Sequence, residues 1–215
     1  MKLIIEKEIF VKNLDNVCRA LSTRNIIPVL NGIKFELKKS GLFLTASDNE
    51  ISIEVNIDKK DIKSIDEVGS VVVANGSKLL ELLKRINKKD ITIQSLDENE
   101  IIFSSDKFEY KSNCFVKEDF PNINFEEVEN PIKLDSKKFK EIINNTVFAC
   151  SLQESRPLLT GINIKIIGNL FECVSTDSYR LSKIQINLNN IPENNFNIVI
   201  PAKNINELYR IINSD

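Results

Sequence analysis

Apolar residues along the chain recur in two rhythms. Phe10, Leu14, Val17, Cys18 and Leu21 fall at i, i+4, i+7, i+8 and i+11, one face of a helix. Residues 2–6 before it read as a short strand, and residues 22–31 after it, holding Arg24 and Pro28, as a turn. Strand-like runs follow at 33–38, 42–46 and 51–57, divided by the turn chemistry of Lys39-Ser40-Gly41 and Ser47-Asp48-Asn49. Residues 68–74 predict another strand. Ser77 is placed to cap a second helix with Leu79, Leu80, Leu82, Leu83 and Ile86 on its apolar side. Strands are expected at 90–95, 100–105 and 107–111, and residues 117–131, with Pro121 and Pro131, read as a linker. The pattern then restarts. Phe139, Ile142, Ile143 and Val147 mark a helix after Asp135-Ser136. Strands are expected at 162–167, 170–174, 180–188 and 196–200, then a helix at 202–213 presenting Ile205, Leu208, Ile211 and Ile212.

The restart is a repeat. Pro28-Val29-Leu30-Asn31-Gly32-Ile33 matches Pro157-Leu158-Leu159-Thr160-Gly161-Ile162 at an offset of 129 residues. Ser47-Asp48 with Thr176-Asp177, Phe10 with Phe139, and Ala20 with Ala149 keep the same offset. Glu81-Leu82 and Lys84 match Glu207-Leu208 and Arg210 at 126, as a loop change between them would produce. Two homologous domains are therefore expected, at 1–125 and 126–215. Residue 215 corresponds to about residue 89 of the first half, so the second half has no counterpart of three strands and the linker. Its sheet would end on unpaired backbone, an aggregation hazard. Either the natural protein is longer or something else covers that edge.

Composition narrows the chemistry. The 215 residues are 42% hydrophobic, enough to bury a core. No apolar run approaches the ~18 residues of a membrane span, and the N-terminus lacks the apolar block of a signal peptide, so a cytoplasmic protein is expected. There is no histidine, which removes His-based triads and H-E-x-x-H metal sites. Cys18, Cys114, Cys150 and Cys173 form no C-x-x-C pair, and no glycine-rich phosphate loop is present. Neither metal nor cofactor is expected. Asp48 and Asp177 could suggest a catalytic pair, but the repeat places them in different domains.

The net charge of -2 argues against nucleic acid when averaged over the chain. Segments 10–25, 76–89, 136–148 and 202–213, which hold the four helices, carry +2, +4, +2 and +1. Together they hold +9, leaving -11 elsewhere. Solvated lysines on surface helices are the plain reading. A phosphate-facing surface with an acidic exterior is the other. In the latter case Lys12, Arg19, Lys78, Lys84, Arg85, Lys137, Lys138, Lys140, Lys203 and Arg210 would face DNA.

Arg24 followed by Pro28-Val29-Leu30, Asp119-Phe120-Pro121, and Thr176-Asp177-Ser178-Tyr179-Arg180-Leu181 occur in the order found in one family. The chain resembles, from Met1 to Asp215, the N-terminal portion of the bacterial sliding clamp, the beta subunit of DNA polymerase III. The resemblance implies an α+β clamp fold of repeated domains, each with two helices packed on antiparallel sheet. Domain I would be whole, domain II would lack its last strands, and domain III would be absent. It implies a non-catalytic processivity factor, without cofactor, whose full-length homodimer encircles double-stranded DNA without sequence preference. Short linear motifs of the polymerase alpha subunit, the clamp loader and other clamp-binding proteins would dock on it. By the same resemblance Arg24 and Gln153 lie in loops near the DNA. Leu159, Thr176, Ser178, Tyr179, Arg180 and Leu181 form part of the partner-peptide pocket, with Tyr179 where the family often has His. Phe108 and Tyr110, on one face of an alternating strand, lie at the protomer boundary; ordinary core or a partly covered edge is the plain reading of that pair. Two further readings stay open: a clamp fragment or paralogue that binds partners without encircling DNA, and an unrecognised nucleic-acid enzyme.

Overall fold

A computed structural model describes residues 1–22, 27–125, 129–190, 192–193 and 195–212. The chain divides into two units, Met1–Phe125 and Glu126–Asp215.

In the first unit, β1 (Lys2–Glu6) runs directly into α1 (Lys7–Cys18). The helix begins three residues before its apolar stripe, because Lys7 and Glu8 supply a polar first turn that periodicity does not register. A 3-10 turn at Pro28–Asn31 leads to β2 (Ile33–Lys38), β3 (Gly41–Ser47) and β4 (Ser52–Asp58). Next come β5 (Ile62–Glu67), β6 (Gly69–Val73), α2 (Gly76–Lys84), β7 (Asp90–Ser95), β8 (Glu100–Ser105) and β9 (Phe108–Phe115). The strands form one sheet in the order β4-β3-β2-β6-β9-β8-β7-β1-β5.

Three differences from the sequence reading have physical causes. Ser77 does not cap α2. The cap position is Asn75, in the left-handed region at φ 54°, with no side-chain cap bond. The strand β5 was not expected, because register shifts along its pairing with β1 break the alternation. The last predicted strand of this half does not end at Lys111. The polar Ser112-Asn113 masks its continuation, in which β9 leaves β8 and pairs Cys114 and Phe115 with Val73 and Val72 of β6. The Ser112 hydroxyl pays for its burial by donating to the Ala74 carbonyl at 3.2 Å.

The core lies under α1 and α2. Phe10 of α1, Phe35 of β2 and Phe103 of β8 are fully buried, with ring centroids 6.0, 6.3 and 6.1 Å apart. This triangle ties the helix to strands on both sides of the β6–β9 junction.

The second unit repeats the plan. Asp135 caps α3 (Ser136–Thr146) by accepting from Lys138 N–H at 3.0 Å. A 3-10 turn at Pro157–Thr160, the counterpart of Pro28–Asn31, leads to β10 (Gly161–Ile167). Then follow β11 (Leu170–Thr176), β12 (Leu181–Asn187), β13 (Phe196–Pro201) and α4 (Ala202–Ile212). The sheet order is β12-β11-β10-β13. Gly32 and Gly161 do the same job in the two halves. A Cβ would lie 2.9 Å from the Val73 carbonyl in one and 2.6 Å from the Ile200 carbonyl in the other, so only glycine lets the neighbouring strand close.

Candidate functional site

Three groups of residues carry the candidate chemistry. The first is the outward side of the helices. On α1, Phe10, Leu14 and Val17 are buried, which turns Glu8, Lys12, Asp15 and Arg19 outward as a stripe at i, i+4, i+7 and i+11. On α2 and just beyond it, Lys78, Glu81, Lys84 and Arg85 are exposed while Leu79, Leu80 and Leu83 are buried. Asp15 joins the two helices. Its carboxylate meets Lys84 Nζ at 2.5 Å and Arg19 Nη2 at 3.0 Å. In the second unit Lys137, Lys138, Lys203 and Arg210 are exposed and Lys140 is half-buried. Arg210 pairs with Glu207 on its own helix at 2.9 Å. Gln153 is exposed in the loop before the 3-10 turn, its N–H held by the Ser151 hydroxyl at 3.0 Å. Arg24 lies outside the described residues. The geometry offers a charged, half-solvated surface with no enclosure, suited to contact with polyanions rather than to bond chemistry.

The second group is the turn at residues 176–181. Thr176 Oγ1 accepts from Ser178 N–H at 3.1 Å, and Asp177 Oδ1 accepts from Tyr179 and Arg180 N–H at 3.0 Å each. Ser178 sits at φ 79°. The first unit builds the same turn 129 residues earlier. Ser47 Oγ takes Asn49 N–H at 3.1 Å, Asp48 Oδ1 takes Glu50 and Ile51 N–H at 3.1 and 3.0 Å, and Asn49 has φ 73°. The Ser/Thr-Asp pair is thus structural in both halves. These two N–H bonds, Arg180's first, hold the Asp177 carboxyl below the usual carboxylate range, and the Arg180 guanidinium at 3.0 Å adds to the effect.

What differs is what each turn displays. In the second unit Tyr179 is 98% exposed, Leu181 64%, and Leu158, in the 3-10 turn, 75%. Arg180 lies over the Phe148 ring at 5.6 Å, and Arg156 donates to the Ser178 hydroxyl at 3.1 Å. Leu159 is half-buried, its carbonyl taking Ser151 N–H at 2.8 Å. The structure therefore joins the loop at 148–159 to the turn at 176–181 through Phe148 and Arg156, neither of which the sequence singled out. Their only sequence signal was that both precede the repeated Pro-x-Leu segment, Arg156 directly.

The third group is β9. Phe108 and Tyr110 are half-buried and pack on the core, Tyr110 lying 6.4 Å from Phe103. From Phe108 to Lys111, β9 pairs with β8 on one side only. A cavity of about 450 Å3 opens beside it, lined by Leu82, Arg85, Ile86 and Phe108 among others.

Burial pushes the thiols of Cys18 and Cys173 up to about 12 and that of Cys114 to about 11, and raises Cys150 as well, so none is a ready thiolate. Among the described residues no group of three or more potential ligands could hold a metal ion, and no helix is long and apolar enough to cross a membrane.

Comparison with known proteins gives consistent matches. Family models match twice: the DNA polymerase III beta subunit N-terminal domain over residues 1–124, and its central domain over residues 133–215. The chain is 34% identical over 222 residues to a beta sliding clamp of Halalkalibacterium halodurans, and 33% identical over 219 residues to one of Staphylococcus aureus. Each match covers 100% of this chain and 58% of the relative, so the chain spans little more than half the length of these curated proteins. The crystal structure of the DNA polymerase sliding clamp from Bacillus subtilis superposes with a TM-score of 0.92 at 33% identity, covering 98% of this chain and 56% of that one.

Proposed function

The chain belongs to the DNA polymerase III beta subunit family, and from that premise we propose that it supplies the first domain and part of the second of a sliding clamp. The whole protein encircles duplex DNA as a homodimer and tethers the replicative polymerase and other replication and repair proteins. It is a non-catalytic accessory subunit of the polymerase holoenzyme, working in the cytoplasm. The observation that carries this reading is the repeat itself. Two units of one plan each present two helices that together carry more cations than carboxylates, in a chain whose total charge is -2.

In this reading the helix cations face phosphate without reading sequence, because contacts to the sugar–phosphate backbone carry no base information. Arg24 and Gln153 border the DNA path. The exposed Tyr179 and Leu181, the Arg180 guanidinium over Phe148, and Leu159 receive apolar short motifs, with Thr176 and Ser178 fixing the turn beneath. The free edge of β9 at Phe108 and Tyr110 serves the protomer interface, as an unpaired strand edge invites a partner strand.

The experiment is retention of the whole protein on circular and linear DNA. At about 0.5 M salt the Debye length is roughly 4 Å and surface attraction is screened. Retention on nicked circles and loss from linear DNA is the expected result. Equal loss from both refutes encirclement. It would favour a partner-binding module that does not enclose DNA, a reading supported by the exposure of Tyr179, Leu181 and Leu158.

A further inference from the structure

We propose that Asp15 limits the grip of the first unit on DNA by holding Lys84 and Arg19 against the protein. The inference rests on the helix surface being the DNA face. The outward residues of α1 and α2 comprise five cations, Lys12, Arg19, Lys78, Lys84 and Arg85, against the carboxylates of Glu8, Asp15 and Glu81. Asp15 is the carboxylate that touches two of those cations at once, Lys84 at 2.5 Å and Arg19 at 3.0 Å. Lys84 and Asp15 are 69 residues apart in sequence and on different helices.

A phosphate oxygen that takes either cation must displace this carboxylate or accept it as a neighbour. The lysine side chain is 51% exposed and the aspartate 30%, so the group is open to solvent and to DNA. The like charge of Asp15 lies well inside one Debye length of any phosphate contacting Lys84. The device suits a protein that must move along DNA: the surface attracts the duplex but lets go of each phosphate easily.

The repeat supplies an internal control. At the offset of 129 residues, Asp15 corresponds to Asn144. Asn144 is uncharged and donates its Nδ2 to the Tyr209 hydroxyl of α4 at 3.2 Å. The second unit thus joins its two helices without a carboxylate at this position.

The test is fluorescence anisotropy of a labelled random-sequence duplex with this chain over a range of low salt. Parent, Asp15→Asn, Lys84→Gln and the double variant are compared. Releasing the cations adds phosphate contacts, each worth about 0.9 in the slope of log K against log salt. Asp15→Asn is expected to bind about 3- to 10-fold tighter at low salt, with a slope steeper by about 1, the contact Lys84 gains. Lys84→Gln should cost more in the Asp15→Asn background than in the parent. Asp15→Ser removes the same charge with a different side chain and should shift binding and slope in the same direction, which keeps the test informative if Asp15→Asn folds poorly. An unchanged slope with equal or weaker binding in Asp15→Asn and Asp15→Ser overturns the proposal. Failure of the DNA-face reading would look different: binding indifferent to Lys84→Gln in both backgrounds and indifferent to salt.

Discussion

Replacing Phe10 with alanine removes the side chain that fastens α1 to the sheet. Phe10 is fully buried and meets Phe35 and Phe103 at 6.0 and 6.3 Å. Truncating a buried phenylalanine costs about 3–5 kcal/mol. Phe10 is fully buried and loses two ring pairs, which places the expected loss in the upper part of that range, about 4–5 kcal/mol. That is a large part of the ~5–15 kcal/mol that holds a typical domain together. The repeat again provides the comparison. Phe139 stands at the same helix position in the second unit but is half-buried, and Phe35 is replaced there by Ile164. Phe139→Ala should cost only about 1–2 kcal/mol, the partial transfer term without an enclosed cavity. The assay is urea unfolding of the whole chain by far-UV circular dichroism, with tyrosine fluorescence as a second probe, since Tyr110 lies 6.4 Å from Phe103. Equal costs for the two variants, or a loss below about 2 kcal/mol for Phe10→Ala, would refute the claim that the aromatic triangle anchors the helix.

Two further outcomes are expected. Because the folded carboxyl of Asp177 titrates below its ordinary value of 3.8, its support of the turn is present above that value and lost as pH falls through the lower folded value. An NMR titration should place its midpoint below 3.8, with Tyr179 and Arg180 amides losing protection alongside; a midpoint at or above 3.8 contradicts the turn geometry. Leu181→Asp, at a side chain 64% exposed, should leave stability within about 0.5 kcal/mol while abolishing capture of a synthetic clamp-binding peptide; undiminished capture would remove Leu181 from the docking region.

Much of the fold was legible because burial is periodic. The helix faces, most strands and the repeat follow from spacing alone. The turn at 176–181 was legible through its copy at 47–51, which separates the residues the backbone needs from those it merely displays. What stayed hidden depends on partners distant in sequence. The bulged pairing of β5 and the crossing of β9 to β6 are set by neighbouring strands rather than by local pattern. The left-handed Asn75 replaces the expected Ser77 cap because the chain turns sharply out of β6 into α2. Counting charges per helix gave the right surplus but not its state. Only the folded chain reveals that Asp15 neutralises part of it.

The junction between β6 and β9 has a mechanical consequence. Two residue pairs join these strands, Val72 with Phe115 and Val73 with Cys114, whereas the other neighbours in the sheet share at least four. One flanking bond, Ala74 N–H to the Asn113 carbonyl at 2.9 Å, reinforces the seam. Under load in the plane of the sheet, this seam carries the fewest backbone bonds and yields first. The Phe10–Phe35–Phe103 triangle spans it on one face and acts as a stiff strut across a compliant joint. Elastic deformation of the unit is thereby concentrated along one line, and the strands on either side can rotate about it as intact plates.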